Sequence, residues 1–130
     1  METCTLSNTN DGIVRLLQIS DTHLFADAGR DLLGIATADS FQAVLDAITE
    51  LPQPYDVVLA TGDLSQDHSA ASYQCFARRV TALNKPVHWL PGNHDHRVLM
   101  QNELQVAGIH PEMRLVGDHW QVILLDSQVY

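Results

Sequence analysis

Three short segments of the sequence carry a high density of metal-binding side chains: Asp21-Thr22-His23, Gly62-Asp63 and Gly92-Asn93-His94-Asp95. A fourth segment with an acid, Leu125-Asp126-Ser127, follows the same plan, and each of the four closes an apolar run. The first three offer an Asp with a His, a single Asp, and an Asn with a His. Oxygen and nitrogen donors of this mix suit a pair of divalent cations, and such cation pairs hydrolyse phosphate esters. Gly92 permits a tight turn, after which Asn93 and His94 present two different polar heads side by side. Taken singly, each segment has a plainer reading. An Asp after a strand is a common turn former or helix cap, and Pro91-Gly92 is a turn signal by itself. Their order, and their shared position at strand ends, favours one metal site.

The elements that must position these residues can be read from apolar periodicity. Ile13–Ser20 reads as a strand, and Asp21–Thr37 as a long loop punctuated by Gly29 and Gly34. Asp39 or Ser40 is the expected cap of a helix that puts Phe41, Val44, Leu45, Ile48 and Leu51 on one face. Pro52 and Pro54 stop it. Val57-Val58-Leu59-Ala60 is a continuous apolar run, as in a strand covered on both faces. A second helix is expected over Ser69–Leu83, with Tyr73, Phe76, Ala77 and Val80 inward and Ser65 or Asp67 as caps. Pro86–Leu90 gives a third strand, residues 96–106 a weaker helix, and Met113–Val116 with Trp120–Leu125 a hairpin across Gly117-Asp118. Strand, helix, strand, helix, strand is an α/β, doubly wound pattern, in which ligands bind beyond the carboxyl ends of the strands. Asp21, Asp63 and Asn93 should therefore meet on one rim.

Composition bounds the rest. The chain has 130 residues, 45% of them hydrophobic, which suits one globular domain with a flexible leader over 1–12 and the folded part over 13–130. A formal net charge of −9 argues against a nucleic-acid partner, which needs a basic footprint. The two cysteines, Cys4 and Cys75, have no disulfide or zinc spacing and fit a reducing compartment. The first ten residues lack the form of a signal peptide, and no apolar run approaches the ~20 residues a membrane span needs, so no membrane partner and a cytoplasmic location are expected. Neither a glycine-rich dinucleotide fingerprint nor a P-loop lysine is present.

The ordered set Asp-x-His, Gly-Asp, Gly-Asn-His-Asp resembles the signature of the calcineurin-like metallophosphoesterases. QISDTHLF (Gln18–Phe25), LLGIAT (Leu32–Thr37), LATGDLSQDHSAASYQCF (Leu59–Phe76), WLPGNHDH (Trp89–His96) and ILLDSQVY (Ile123–Tyr130) are similar to the bacterial class III cyclic-AMP phosphodiesterases. The resemblance runs from about Ile13 to Tyr130 and covers the first half of a typical member. It implies a metallophosphoesterase-type βαβαβ sheet, half of a four-layer α/β/β/α sandwich. It also implies hydrolysis of 3′,5′-cyclic AMP, a small-molecule cyclic-nucleotide substrate, to 5′-AMP with two divalent metal ions, iron or manganese first and zinc also suited. By the same resemblance Asp21 and His23 bind the first metal, Asp63 bridges both, and Asn93 binds the second. His94 contacts the scissile phosphate and aids departure of the leaving oxygen, and Asp95 orients His94. His23, Asp63, Asn93 and His94 together line the substrate. The family completes its site with three further histidines, which are expected beyond this stretch. His68, His88, His110 and His119 read as non-ligands, and for His96, which directly follows the motif, a plain structural role outweighs contact with substrate. A chain holding one of the two sheets should also leave Trp120–Leu125 with uncovered apolar surface and be marginally stable alone, and, lacking the further histidines, inactive or weakly active. Two other readings stand beside this one: a broader phosphodiesterase or phosphatase on the same scaffold, and a non-catalytic metal-binding module.

Overall fold

The computed structural model describes residues 2–6, 11–109 and 113–128. In chain order the elements are β1 (Thr3–Thr5), β2 (Leu16–Ile19), β3 (Asp31–Leu32), β4 (Ile35–Ala36), α1 (Thr37–Thr49), β5 (Val57–Ala60) and α2 (Ala70–Val80). A 3-10 turn over Thr81–Leu83 follows, then β6 (Val87–Trp89), α3 (Arg97–Val106), β7 (Arg114–Val116) and β8 (Gln121–Ile123). β2, β5 and β6 form an all-parallel sheet in that order. β1, β7 and β8 form a second sheet, with β1 parallel and β8 antiparallel to β7.

β5 is the middle strand and is buried along its whole length. Successive strand residues face opposite sides. Val58 and Ala60 accordingly join the larger core, with Phe41, Leu45 and Ile48 of α1, Tyr73, Phe76 and Val80 of α2, and Met100 and Leu104 of α3. Val57 and Leu59 enter a smaller core with Leu115 of β7 and with Leu124. Full burial of each such side chain contributes about 1.5–3 kcal/mol.

The βαβαβ arrangement is thus present, but the sheet is not doubly wound. Its strand order follows chain order, so right-handed crossovers set both connecting helices on the same face. The other face is covered by the second sheet. The layers run helix, sheet, sheet, matching three of the four layers the resemblance implies.

Several boundaries differ from the sequence reading. Part of the expected flexible leader is β1, whose pairing continues as the Leu6 amide donates to the Val116 carbonyl at 2.8 Å. Cys4 and Leu6 pack on the smaller core, a two-residue apolar signal too short to read as a strand. The loop expected over Asp21–Thr37 contains the β3–β4 hairpin. Its two turn residues, Leu33 (φ 51°) and Gly34 (φ 85°), are both left-handed, as a type I′ turn requires. The hairpin runs directly into α1, so the helix starts at Thr37 with no side-chain cap, rather than at Asp39 or Ser40. Asp39 falls in the first turn, where its charge suits the helix dipole. Phe41, Leu45 and Ile48 are buried as expected, whereas Val44 and Leu51 are about half exposed. Ser69, not Ser65 or Asp67, caps α2 by accepting from the Ser72 amide at 3.1 Å. Asp67 instead accepts from Ser69 and, at 2.8 Å, from the Ala26 amide. Around β8, Leu124 is buried while Trp120 (67% exposed) and Leu125 (70%) face solvent. No helix of the described residues is long and apolar enough to cross a membrane.

Candidate metal centre

The loops after β2 and β5 stay zipped beyond the sheet. The Asp21 amide donates to the Gly62 carbonyl (3.0 Å), His23 to Asp63 (3.0 Å), and Leu24 to Leu64 (2.8 Å). Inside this ladder Asp21 (φ 59°), His23 (φ 45°) and Asp63 (φ 52°) all adopt left-handed backbone conformations. Each such residue costs on the order of 1–3 kcal/mol and persists only where its surroundings hold it. The result is a convergence: one ligand atom from each of Asp21, His23 and Asp63 lies within 4.8 Å of the others. Two carboxylates and an imidazole so placed fit a divalent cation of the kind that takes mixed oxygen and nitrogen donors.

The loop after β6 reaches the same place through glycine. A Cβ on Gly62 would stand 2.6 Å from the Gly92 nitrogen, and one on Gly92 would run into the Asp63 side chain and backbone. Only a pair of glycines lets the two loops touch. His94 then donates its amide to Asp63 Oδ1 at 3.0 Å, and its ring meets His23 edge-on with centroids 5.6 Å apart. Asn93, between two residues that contact Asp63, is held on the same rim.

Asp95 does not orient His94. Its carboxylate accepts from the amides of Gly92 (2.8 Å), Leu64 (3.1 Å) and Ser65 (3.1 Å), and from the Tyr73 hydroxyl (3.1 Å). The turn that donates the Asp95 amide to the Gly92 carbonyl folds this side chain back under the loop. Asp95 is therefore a positioning residue that ties the second loop to the third. Burial, reinforced by the adjacent Asp95 charge, pushes the Tyr73 phenol above its ordinary range, so it stays protonated and donating.

Sequence reasoning missed Gln66. Its Oε1 lies 2.9 Å from His23 Nδ1; with the proton on that nitrogen, Nε2, 3.5 Å from Asp21 Oδ1, would face a cation bound there. Partners of this kind orient a ligand imidazole and are worth roughly 10–100-fold in metal affinity. Gln66→Leu is expected to weaken manganese binding by about that factor while leaving the fold intact. Isothermal titration with manganese checks this, and an unchanged affinity would show that His23 is oriented by packing alone. A Gln three residues after Asp63 has no signal of its own. Its role appears only once the Leu24–Ser65 bridge aligns the two loops.

The fourth acidic segment does not join the cluster. Asp126 Oδ2 lies 3.7 Å from Arg97, at the start of α3. His88 is buried in β6. His96 caps α3, its Nδ1 accepting from the Leu99 amide at 3.2 Å, which accounts for it without a substrate role. His68 and His119 are exposed and outside the group, and His110 lies outside the described residues.

Residues 14–127 match the family model for the calcineurin-like phosphoesterases. The chain is similar to the 3′,5′-cyclic adenosine monophosphate phosphodiesterase CpdA of Escherichia coli K12, at 50% identity over 97% of this chain and 46% of that protein. It is 42% identical to CpdA of Pseudomonas aeruginosa, over 95% of this chain and 46% of the relative. It is 36% identical to the 3′,5′-cyclic-nucleotide phosphodiesterase alr5338 of Nostoc, over 89% of this chain and 44% of the relative. The chain thus spans a little under half the length of these curated relatives. With the site geometry and this extent of match together, the chain belongs to the calcineurin-like phosphoesterase family.

Proposed function

We propose that this chain supplies the first part of the catalytic centre of a metal-dependent 3′,5′-cyclic-AMP phosphodiesterase that releases 5′-AMP. The observation that carries the reading is the 4.8 Å convergence of Asp21, His23 and Asp63 in a chain half identical to CpdA. Asp21 and His23 hold one divalent cation, Asp63 is shared, and Asn93 holds a second. Iron or manganese fits these donors, and zinc fits as well. A bound pair of cations supplies the Lewis acidity and charge neutralisation that phosphodiester hydrolysis needs. His94 is exposed on the rim and free to meet the phosphate, while its amide keeps Asp63 Oδ1 in place. Three further histidines outside this stretch complete the ligand set, as the family resemblance implies, so the chain, β1 included, is the first part of a longer domain. The substrate is a small cyclic nucleotide, with no nucleic-acid or membrane partner. Cys4 and the buried Cys75 form no disulfide, which fits action in the cytoplasm.

The test is manganese titration of the chain and of its Asp63→Asn variant. The parent, with three ligands outside this stretch, is expected to bind weakly and the variant to lose most of that affinity, since Asp63 serves both positions. Equal binding by parent and variant would remove Asp63 from the centre and sink the reading.

A further inference from the structure

Beside the candidate metal centre lies an open cavity of about 470 Å³, between the end of β2, the β3–β4 hairpin and α1, with Asp21 and His23 at one side. That volume falls in the range of small-molecule sites, roughly 300–1,000 Å³. Its walls are mostly apolar: Leu32 and Ile35 from the hairpin, Phe41 and Val44 from α1. Phe41 is fixed by stacking on Phe76, with centroids 5.4 Å apart and planes 4° from parallel. Ile35 and Val44 are 59% and 48% exposed, so apolar surface faces water at the mouth.

One of the lining residues carries an unpartnered polar atom. Thr37 is 8% exposed, and its hydroxyl is buried without a hydrogen-bond partner. Position explains how this arises. Thr37 is the first residue of α1, so no earlier helical carbonyl lies within reach of its Oγ1. A hydroxyl left so costs about 1–3 kcal/mol, and a ligand group able to donate or accept would recover part of that. Ser40, one turn on, adds a second hydroxyl at the rim. No Lys or Arg lines the cavity, so its hairpin and α1 walls, away from Asp21 and His23, offer nothing to hold a phosphate. An uncharged flat ring, apolar on its faces and polar at its edge, fits them.

We propose that this cavity seats the nucleobase of the substrate and that Thr37 is a specificity-determining residue that hydrogen-bonds the base edge. The inference rests on the cyclic-nucleotide reading above and extends it to a place in the fold. It is tested by titrating adenosine, and separately ribose 5-phosphate, into the metal-free chain and following amide NMR signals. Adenosine is expected to bind saturably and to shift Thr37 and Phe41, and ribose 5-phosphate to leave them unmoved. Thr37→Val should lower adenosine affinity roughly three- to tenfold, with Thr37→Ser restoring it. Val44→Trp, at a half-exposed helical position, should fill the mouth and abolish binding while circular dichroism stays unchanged. Adenosine that fails to bind saturably, or binding indifferent to both Thr37→Val and Val44→Trp, overturns the proposal. The two readings fail separately. Adenosine binding at this cavity in a manganese-loaded protein that hydrolyses no cyclic nucleotide would keep the cavity and reject the phosphodiesterase. Equal hydrolysis of cyclic AMP and base-free ribose 3′,5′-cyclic phosphate, unaffected by Thr37→Val, would do the reverse.

Discussion

Asp95→Ala is expected to destabilise the chain by about 3–5 kcal/mol, because several donors lose one shared acceptor and each stranded buried group costs about 1–3 kcal/mol. The amides of Leu64, Ser65 and Gly92 and the Tyr73 hydroxyl all end on this carboxylate. Tyr73 is wholly buried, so water cannot replace its acceptor without opening the core. A domain typically has only ~5–15 kcal/mol in hand, so the loss is a large fraction of the whole. Urea unfolding monitored by circular dichroism measures it. Asp95→Asn, which keeps one acceptor oxygen but introduces donors facing the Leu64, Ser65 and Gly92 amides, should fall between parent and Ala. A change below ~1 kcal/mol would place the energy of this junction elsewhere, in the Gly62–Gly92 contact.

His94→Ala is expected to cut turnover of cyclic AMP by roughly 10²–10⁴-fold in the active enzyme, with metal content unchanged. The prediction follows from a division of labour within one residue. The His94 amide holds Asp63 Oδ1, and alanine retains that amide, so the carboxylate at the centre should keep its position. Only the imidazole is removed, beside His23 on the open rim. Turnover measured together with elemental analysis separates the roles. Loss of a metal equivalent in the variant would make His94 a ligand instead of a phosphate-contacting group. The two variants also discriminate between themselves: Asp95→Ala should lower stability and loosen the whole rim, whereas His94→Ala should leave the unfolding midpoint within about 0.5 kcal/mol of the parent.

The strand ends that carry Asp21, Asp63 and Asn93 were legible because each follows an apolar run and is punctuated by a polar or glycine residue. β5 could be read as doubly covered from Val57–Ala60 alone, since four consecutive apolar residues leave no face for water. What covered its second face could not be read. Helices on both sides and a helix layer opposed by a sheet place the same demand on that strand. The choice depended on β1, β7 and β8, whose inward residues Cys4, Leu115 and Val122, with Leu124 just after β8, are too few and too scattered to announce a layer. The β3–β4 hairpin was hidden for a related reason. Its type I′ turn uses Leu33 at a left-handed position where a glycine or asparagine would have signalled it.

By itself the sequence determined the residue types at the centre, their order along the chain and their shared rim, because a strand end fixes where the next residue emerges. Gly92 was legible only as a turn; that it and Gly62 leave room for the two loops to touch appeared with the structure. Tertiary structure decided the partners. Gln66 rather than Asp95 holds an imidazole, Asp95 binds three loop amides, and Asp126 turns away to Arg97. A carboxylate or a carboxamide has the same hydrogen-bonding capacity wherever it stands. Which donor it meets depends on loops brought together from residues tens of positions apart, and that is settled by packing and not by local sequence.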